Sequence, residues 1–212
     1  MPNIDEEAKA WQTERSGVVG AAINRRRRDA GLTALELAKR TRELGYPISR
    51  VAISKIESNS RAGKLDVAEV SVIAAALGVP PVELLYPNLP DGEADVLPLV
   101  TTRSIVAAQW LAGEVMILPD GEVRYPYVTD TLTARSRNLV DRLQQLQRAN
   151  LQKAAAASRD DEPGIDEAHR SIMFLTGEIA YQAAELIKDG YQVDVSRLPA
   201  PVRERIERLT EG

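Results

Sequence analysis

The chain has 212 residues, 44% of them apolar and 27% charged. That is room for one domain or two small ones with a buried core, and it is not the composition of a disordered chain. Lys and Arg number 27 against 31 Asp and Glu, a net charge of −4 that argues, taken whole, against a nucleic-acid binder. The absence of cysteine excludes disulfides, thiolate zinc sites, iron–sulfur clusters and a cysteine nucleophile, and one histidine, His169, excludes a multi-histidine metal site.

In chain order, residues 1–14 read as an N-terminal extension; Met1 to Gln12 carries acids rather than a basic, then apolar, leader. The spacing of Val18, Val19, Ala22 and Ile23 predicts a first helix over Thr13 to Asp29, closed by Gly31. Thr33 caps a second helix, with Glu36 in the capping-box position, Leu35, Ala38 and Leu44 on its inner face and Gly45 at its end. Ser49 caps a third, in which Ile53 and Ile56 repeat inward. Asp66 caps a fourth, with Glu69 three residues on and Gly78 as its stop. Pro80 and Pro81 open a fifth, Val82 to Tyr86. Pro87, Pro90 and Pro98, with Asp91 and Gly92 between, then mark residues 88–100 as a linker.

This ordered set resembles the phage-repressor-type (Xre, lambda-repressor-like) helix-turn-helix family. The residues that carry the resemblance are Gly31-Leu32-Thr33, Leu35 to Ala38, Ile48-Ser49-Arg50, Ile53 to Glu57, and Ile73-Ala74 with Ala76 to Val79. One departure is visible: the turn from Arg42 to Ile48, with Gly45 and Pro47, is longer than the family's tight turn. The resemblance implies a five-helix DNA-binding domain over residues 15–87 whose third helix enters the major groove of double-stranded DNA. There Arg50 would donate two hydrogen bonds to a guanine, Ser54 and Lys55 would add contacts, and Val51 would meet a thymine methyl. Phosphates would be held by the amides after Thr33 and by Ser49, Ser58, Asn59, Ser60, Arg61, Lys64 and Arg28. Glu57 is expected to have a structural role. The run Arg25 to Arg28 spreads around one helical turn, so only one or two of its members can face a phosphate.

Residues 101–212 read as a dimerisation or sensory domain. A hairpin is expected over about residues 114–128, around Pro119-Asp120-Gly121. Two long helices follow, about residues 130–157 and 165–189, separated by Ser158 to Gly164, and a last helix covers about 200–210. Leu139, Leu143 and Leu146 on one long helix, and Ile172, Leu175, Ile179 and Leu186 on the other, recur in the three-and-four spacing of coiled-coil seams. They admit an ordinary internal core or a dimer interface. The dimer is favoured, because a palindromic site needs two third helices roughly 34 Å apart. Asp166 to His169 spells a helicase box, but no phosphate-binding glycine loop accompanies it. Ala112-Gly113 resembles the scissile pair of self-cleaving repressors, yet the only lysines after Lys64 are Lys153 and Lys188, both in helical patterns.

The charge also divides. Arg15 to Lys64 holds 12 basic against 4 acidic residues, whereas residues 91–212 hold 14 against 20. Positive charge is therefore concentrated on the helix-turn-helix pattern, and the overall acidity no longer argues against DNA. The expectation is an all-α, two-part transcriptional regulator with a small hairpin. It would be cytoplasmic, associated with the nucleoid when bound, and without cofactor, metal, membrane span or catalysis. It would most simply be a homodimeric repressor on a palindromic operator. Its C-terminal part would be open to a small-molecule or protein effector. A mobile-element immunity repressor, or an antitoxin whose C-terminal helices bind a protein partner, is the competing setting.

Overall fold

A computed structural model describes residues 6–125 and 131–210. These fall into two compact units, Met1–Tyr125 and Pro126–Gly212.

The first unit begins with α1 (Glu6–Asp29). This helix starts well before the expected Thr13, so residues 6–14 are its first turns rather than an extension; Glu6 and Glu7 suit a helix N-terminus. α2 (Ala34–Glu43), α3 (Arg50–Glu57), α4 (Val67–Leu77) and α5 (Pro81–Leu85) follow at the expected caps. One core joins the five helices. Val19 and Ile23 of α1 meet Leu37 of α2, Ile53 and Ile56 of α3, Ile73 of α4 and Leu84 of α5. The capping acid of α4 acts alone: Asp66 accepts from the amides of Ala68 and Glu69, while the Glu69 carboxylate is taken by Arg61.

Residues 88–100 are not a linker. They contain β1 (Glu93–Leu97), which pairs antiparallel with β2 (Val100–Arg103), Ala94 facing Thr102 and Asp95 facing Thr101. The helix α6 (Ser104–Leu111), absent from the sequence reading, follows at once. Ala94, Val96, Val100 and Ala107 bury themselves with Tyr86, whose ring also carries the Arg15 guanidinium 5.0 Å from its centre. The apolar alternation of Ala94 and Val96 was the readable signal, and the surrounding prolines obscured it. The expected hairpin is shorter than drawn, with β3 (Met116–Ile117) paired to β4 (Val123–Arg124). Gly121 turns between them at φ 86°, a conformation that favours glycine. Residues 126–128 of that expectation lie outside the described residues.

The second unit is helical. α7 (Leu132–Ala157) and α8 (Glu162–Lys188) form a hairpin, and α9 (Ala200–Thr210) packs along α8. α8 starts earlier than expected because Asp161 caps it through the Gly164 amide at 3.1 Å, and Pro163 sits in the first turn, where no amide is needed. Its core is made by Leu146, Leu175, Ile179 and Ala183 with Leu198, Val202 and Ile206. Among the described residues no helix is long and apolar enough to cross a membrane.

The two seams expected to form a dimer interface are instead buried within one chain. Leu146, Leu175, Ile179 and Leu186 are at most 6% exposed within a single chain. Leu139, Leu143 and Ile172 pack on the same core. The two helices are neighbours in sequence, so their apolar seams meet each other before a second chain can cover them.

Candidate nucleic-acid interface

The site is built from the α2–α3 pair. Thr33 and Glu36 close a capping box: the Glu36 amide donates to Thr33 Oγ1 at 3.2 Å, and the Thr33 amide donates back to Glu36 Oε2 at 2.7 Å. The Thr33 amide and hydroxyl hold the Glu36 carboxyl below the usual range. The Thr33 side chain is therefore committed to its own helix, and the amides that follow it are the groups expected to hold a phosphate.

The long turn is held by the Gly45 amide on the Arg42 carbonyl, by the Tyr46 amide on the Thr41 carbonyl and by one buried hydroxyl. Thr41 is fully buried; its Oγ1 accepts from the Ile48 amide at 3.1 Å and donates to the Ala38 carbonyl at 2.9 Å. Leu44, Tyr46 and Pro47 loop outward around this contact. Ser49 then caps α3 by accepting from the Ala52 amide at 3.1 Å, which leaves its hydroxyl proton to donate elsewhere.

On α3 the division of faces follows the helical period. Ile53 and Ile56 are buried at 0% and 3% exposure, as expected. Arg50, Val51, Ser54 and Lys55 are exposed together on the opposite face. Val51 keeps 62% of its surface in solvent, beside Arg50 and Ser54 on the same face. Leu35, Lys39, Arg42, Pro47 and Arg50 line a groove of about 550 Å³ between α2 and α3. Arg42 in this groove is a cation the sequence reading did not single out, although its spacing from Leu35 and Lys39 places it on the same helix face.

The segment after α3 departs from expectation. Asn59, at φ 52°, is spent on α1: Ser16 Oγ donates to its Oδ1 at 2.6 Å, and its Nδ2 donates to the Thr13 carbonyl at 2.7 Å. Arg61 pairs with Glu69 at 2.5 Å. Both expected phosphate contacts are thus engaged inside the protein, because a loop that must reverse direction against α1 uses its polar groups to hold itself. Ser58 and Ser60 are exposed with their hydroxyls 3.1 Å apart, and Lys64 is exposed.

The four arginines at the end of α1 divide in the same way. Arg25 donates to the Pro87 carbonyl at 3.2 Å and Arg26 pairs with Glu83 at 2.7 Å. Arg27 donates to Glu57 from Nε at 2.6 Å and from Nη2 at 2.8 Å, and Asn24 adds a third bond to the same carboxylate at 2.6 Å. Glu57 is therefore structural, as expected. Arg28 stays exposed at the helix end. Arg124, on the small hairpin, donates two hydrogen bonds to Glu122 at 3.0 and 3.2 Å, both side chains being exposed.

A short helix with an apolar underside, a cap and an outward basic face, braced by a preceding helix, is a geometry built to be laid against a groove. Residues 23–84 match the helix-turn-helix family model. The helix-turn-helix domain thus runs from within α1 to within α5, in agreement with the resemblance to the phage-repressor type, and the chain carries a DNA-binding module of the kind found in transcription regulators. α1 up to Ala22, both hairpins, α6 and the whole helical unit lie outside the match. No curated protein and no solved structure matches the chain.

Proposed function

We propose that this chain is a sequence-specific transcriptional repressor that occupies a palindromic operator as a dimer, in the cytoplasm on nucleoid DNA. The observation that carries the reading is the outward face of α3, where Arg50, Val51, Ser54 and Lys55 are exposed and no core contact depends on them. Arg50 sits in the first turn, where a side chain reaches base edges when the helix lies in the major groove, and its guanidinium matches the two acceptors of guanine. Lys55 and Ser54 extend the contact along the groove, and Val51 meets a thymine methyl. Lys64, Arg28, Ser58, Ser60 and the amides of Ala34 and Leu35 hold phosphates on either side. The helical unit supplies the second half-site by self-association and is the part open to an effector.

Selection of bound sequences from a random duplex pool, followed by footprinting, tests this. The expected result is a two-fold symmetric site with half-sites about one turn apart. Arg50→Ala then costs about 1–3 kcal/mol on that site and relaxes base choice at one position of each half. Unchanged sequence preference in Arg50→Ala would overturn the assignment of α3. Lys64→Ala, by contrast, weakens every duplex similarly and lowers the slope of log affinity against log salt by about 1.

A further inference from the structure

α8 carries a second stripe beside its core seam, exposed at Arg170, Phe174 and Tyr181 and half-buried at Gly177, Glu178 and Glu185. Arg170, Phe174, Tyr181 and Glu185 follow one another at intervals of four, seven and four, with Gly177 and Glu178 midway. At 3.6 residues per turn, these six fall within about 100° of the helix, on the side away from Leu175 and Ile179. Phe174, the only phenylalanine of the chain, is 59% exposed and Tyr181 is 57% exposed. Two large aromatic side chains one above the other in solvent are a surface without its partner.

The stripe is complementary to itself when reversed. A second α8 laid antiparallel, with the two-fold axis between Gly177 and Glu178, sets Arg170 opposite Glu185 of the second copy and Phe174 opposite its Tyr181. One turn further out, Glu167 meets Lys188; within one chain Lys188 pairs with Glu185 at 3.5 Å, so in the dimer both charges exchange that partner for one on the second copy. Every pair occurs twice, once on each side of the axis, and each charged pair is of opposite sign. The centre fits as well. Gly177 has no side chain, and the Arg205 guanidinium of α9 lies 3.5 Å from where its β-carbon would stand. The Glu178 carboxylate of the second copy arrives at that guanidinium. Among the described residues Arg170, Glu178 and Arg205 make no ion pair or hydrogen bond of their own, and Glu185 makes one ion pair, to Lys188 one turn on.

We propose that the protein dimerises through this α8–α9 face, as an antiparallel two-fold pair of α8 helices centred on Gly177. The occupant of the face is a second copy of this chain, because an isologous contact requires a surface that matches its own reverse, and this stripe does. The proposal rests on the dimeric reading above and names the surface that reading lacked once the buried seams were assigned to the core.

Charge reversal tests it in the full-length chain by sedimentation velocity at low salt. Wild type is expected to be a dimer at micromolar concentration. Arg170→Glu and Glu185→Arg should each weaken the dimer by about tenfold or more, because the axis doubles every repulsion, and the double variant should restore it. Phe174→Ala, which removes nothing from the core, should also shift the protein toward monomer. A wild-type dimer unmoved by both single reversals and by Phe174→Ala would overturn this interface while leaving dimerisation intact. A wild-type monomer would overturn both.

Discussion

Replacing Gly20 by alanine should unfold the N-terminal unit at temperatures where the wild type is folded. A β-carbon at Gly20 would stand 2.3 Å from the carbonyl oxygen of Ile56, 3.2 Å from its carbonyl carbon and 3.4 Å from Glu57 Cα. All three are backbone atoms at the end of α3, so no side chain can swing aside. Relief requires α1 and α3 to part, and Val19, Ile23 and Ile56 are packed across that contact. Alanine favours a helix over glycine by about 1 kcal/mol, so any loss is steric in origin. The net cost should be about 3 kcal/mol or more, at the upper end of what overpacking does. Calorimetry should read this as a fall in Tm of roughly ten degrees or more. Gly17→Ala provides a milder contrast: its β-carbon would meet the Asn59 side chain, 3.0 Å away at Nδ2, and the cost is a shift of that side chain and its bonds to Ser16 and Thr13 rather than a parting of two helices. A Gly20→Ala protein that melts with wild type would show that α1 and α3 do not approach as described.

Glu57→Ala should be of similar severity for an electrostatic reason. Arg27 and Glu57 are 11% and 8% exposed, and the carboxylate holds three donors from two side chains of α1. Removing it leaves Arg27 with the Leu32 carbonyl at 2.7 Å but no counter-charge. Breaking one partner of such a buried pair costs about 3–5 kcal/mol. The same carboxylate makes stability depend on pH. Burial pushes Glu57 up, but the hydrogen bonds from Arg27 and Asn24, with the charge of Arg27, outweigh it and hold the group below the usual glutamate range. A carboxyl depressed in the folded state contributes its stability above the unfolded pKa and loses it as pH falls through the folded value. Melts of wild type and Glu57→Gln from about pH 7 to pH 3 should therefore converge below the ordinary glutamate range. A gap independent of pH would refute this role for the carboxylate.

Both cases turn on contacts distant in sequence, and that is where reading the chain alone stopped. The caps at Thr33, Ser49, Asp66 and Gly78 were legible because capping is a negotiation within a few residues. Ile53 and Ile56 were legible because the helical period assigns them a face. The partners of Arg27, Asn59 and Arg61 were not, since each partner lies on another element that only folding brings near. The strands β1 and β2 were hidden by Pro87, Pro90 and Pro98, whose turn chemistry outvotes the weak alternation of Ala94 and Val96. In the helical unit the seams at Leu146 and Ile179 were legible as seams, but which surface covers them depends on chain connectivity. The exposed stripe through Phe174 and Tyr181 was readable at the same spacing and was overshadowed by the longer apolar series beside it.

The buried hydroxyl of Thr41 has a consequence for how this protein can change over time. With the backbone bonds of the turn it sets where α3 begins, and Ile53 and Ile56 carry the seat of α3, so the four side chains of the outer face take no part in the core. Arg50, Val51, Ser54 and Lys55 can be exchanged without loosening the fold. In the proposed repressor, preference for one operator over another is therefore free to drift by single substitutions, each judged on the DNA it selects and none on whether the protein still folds.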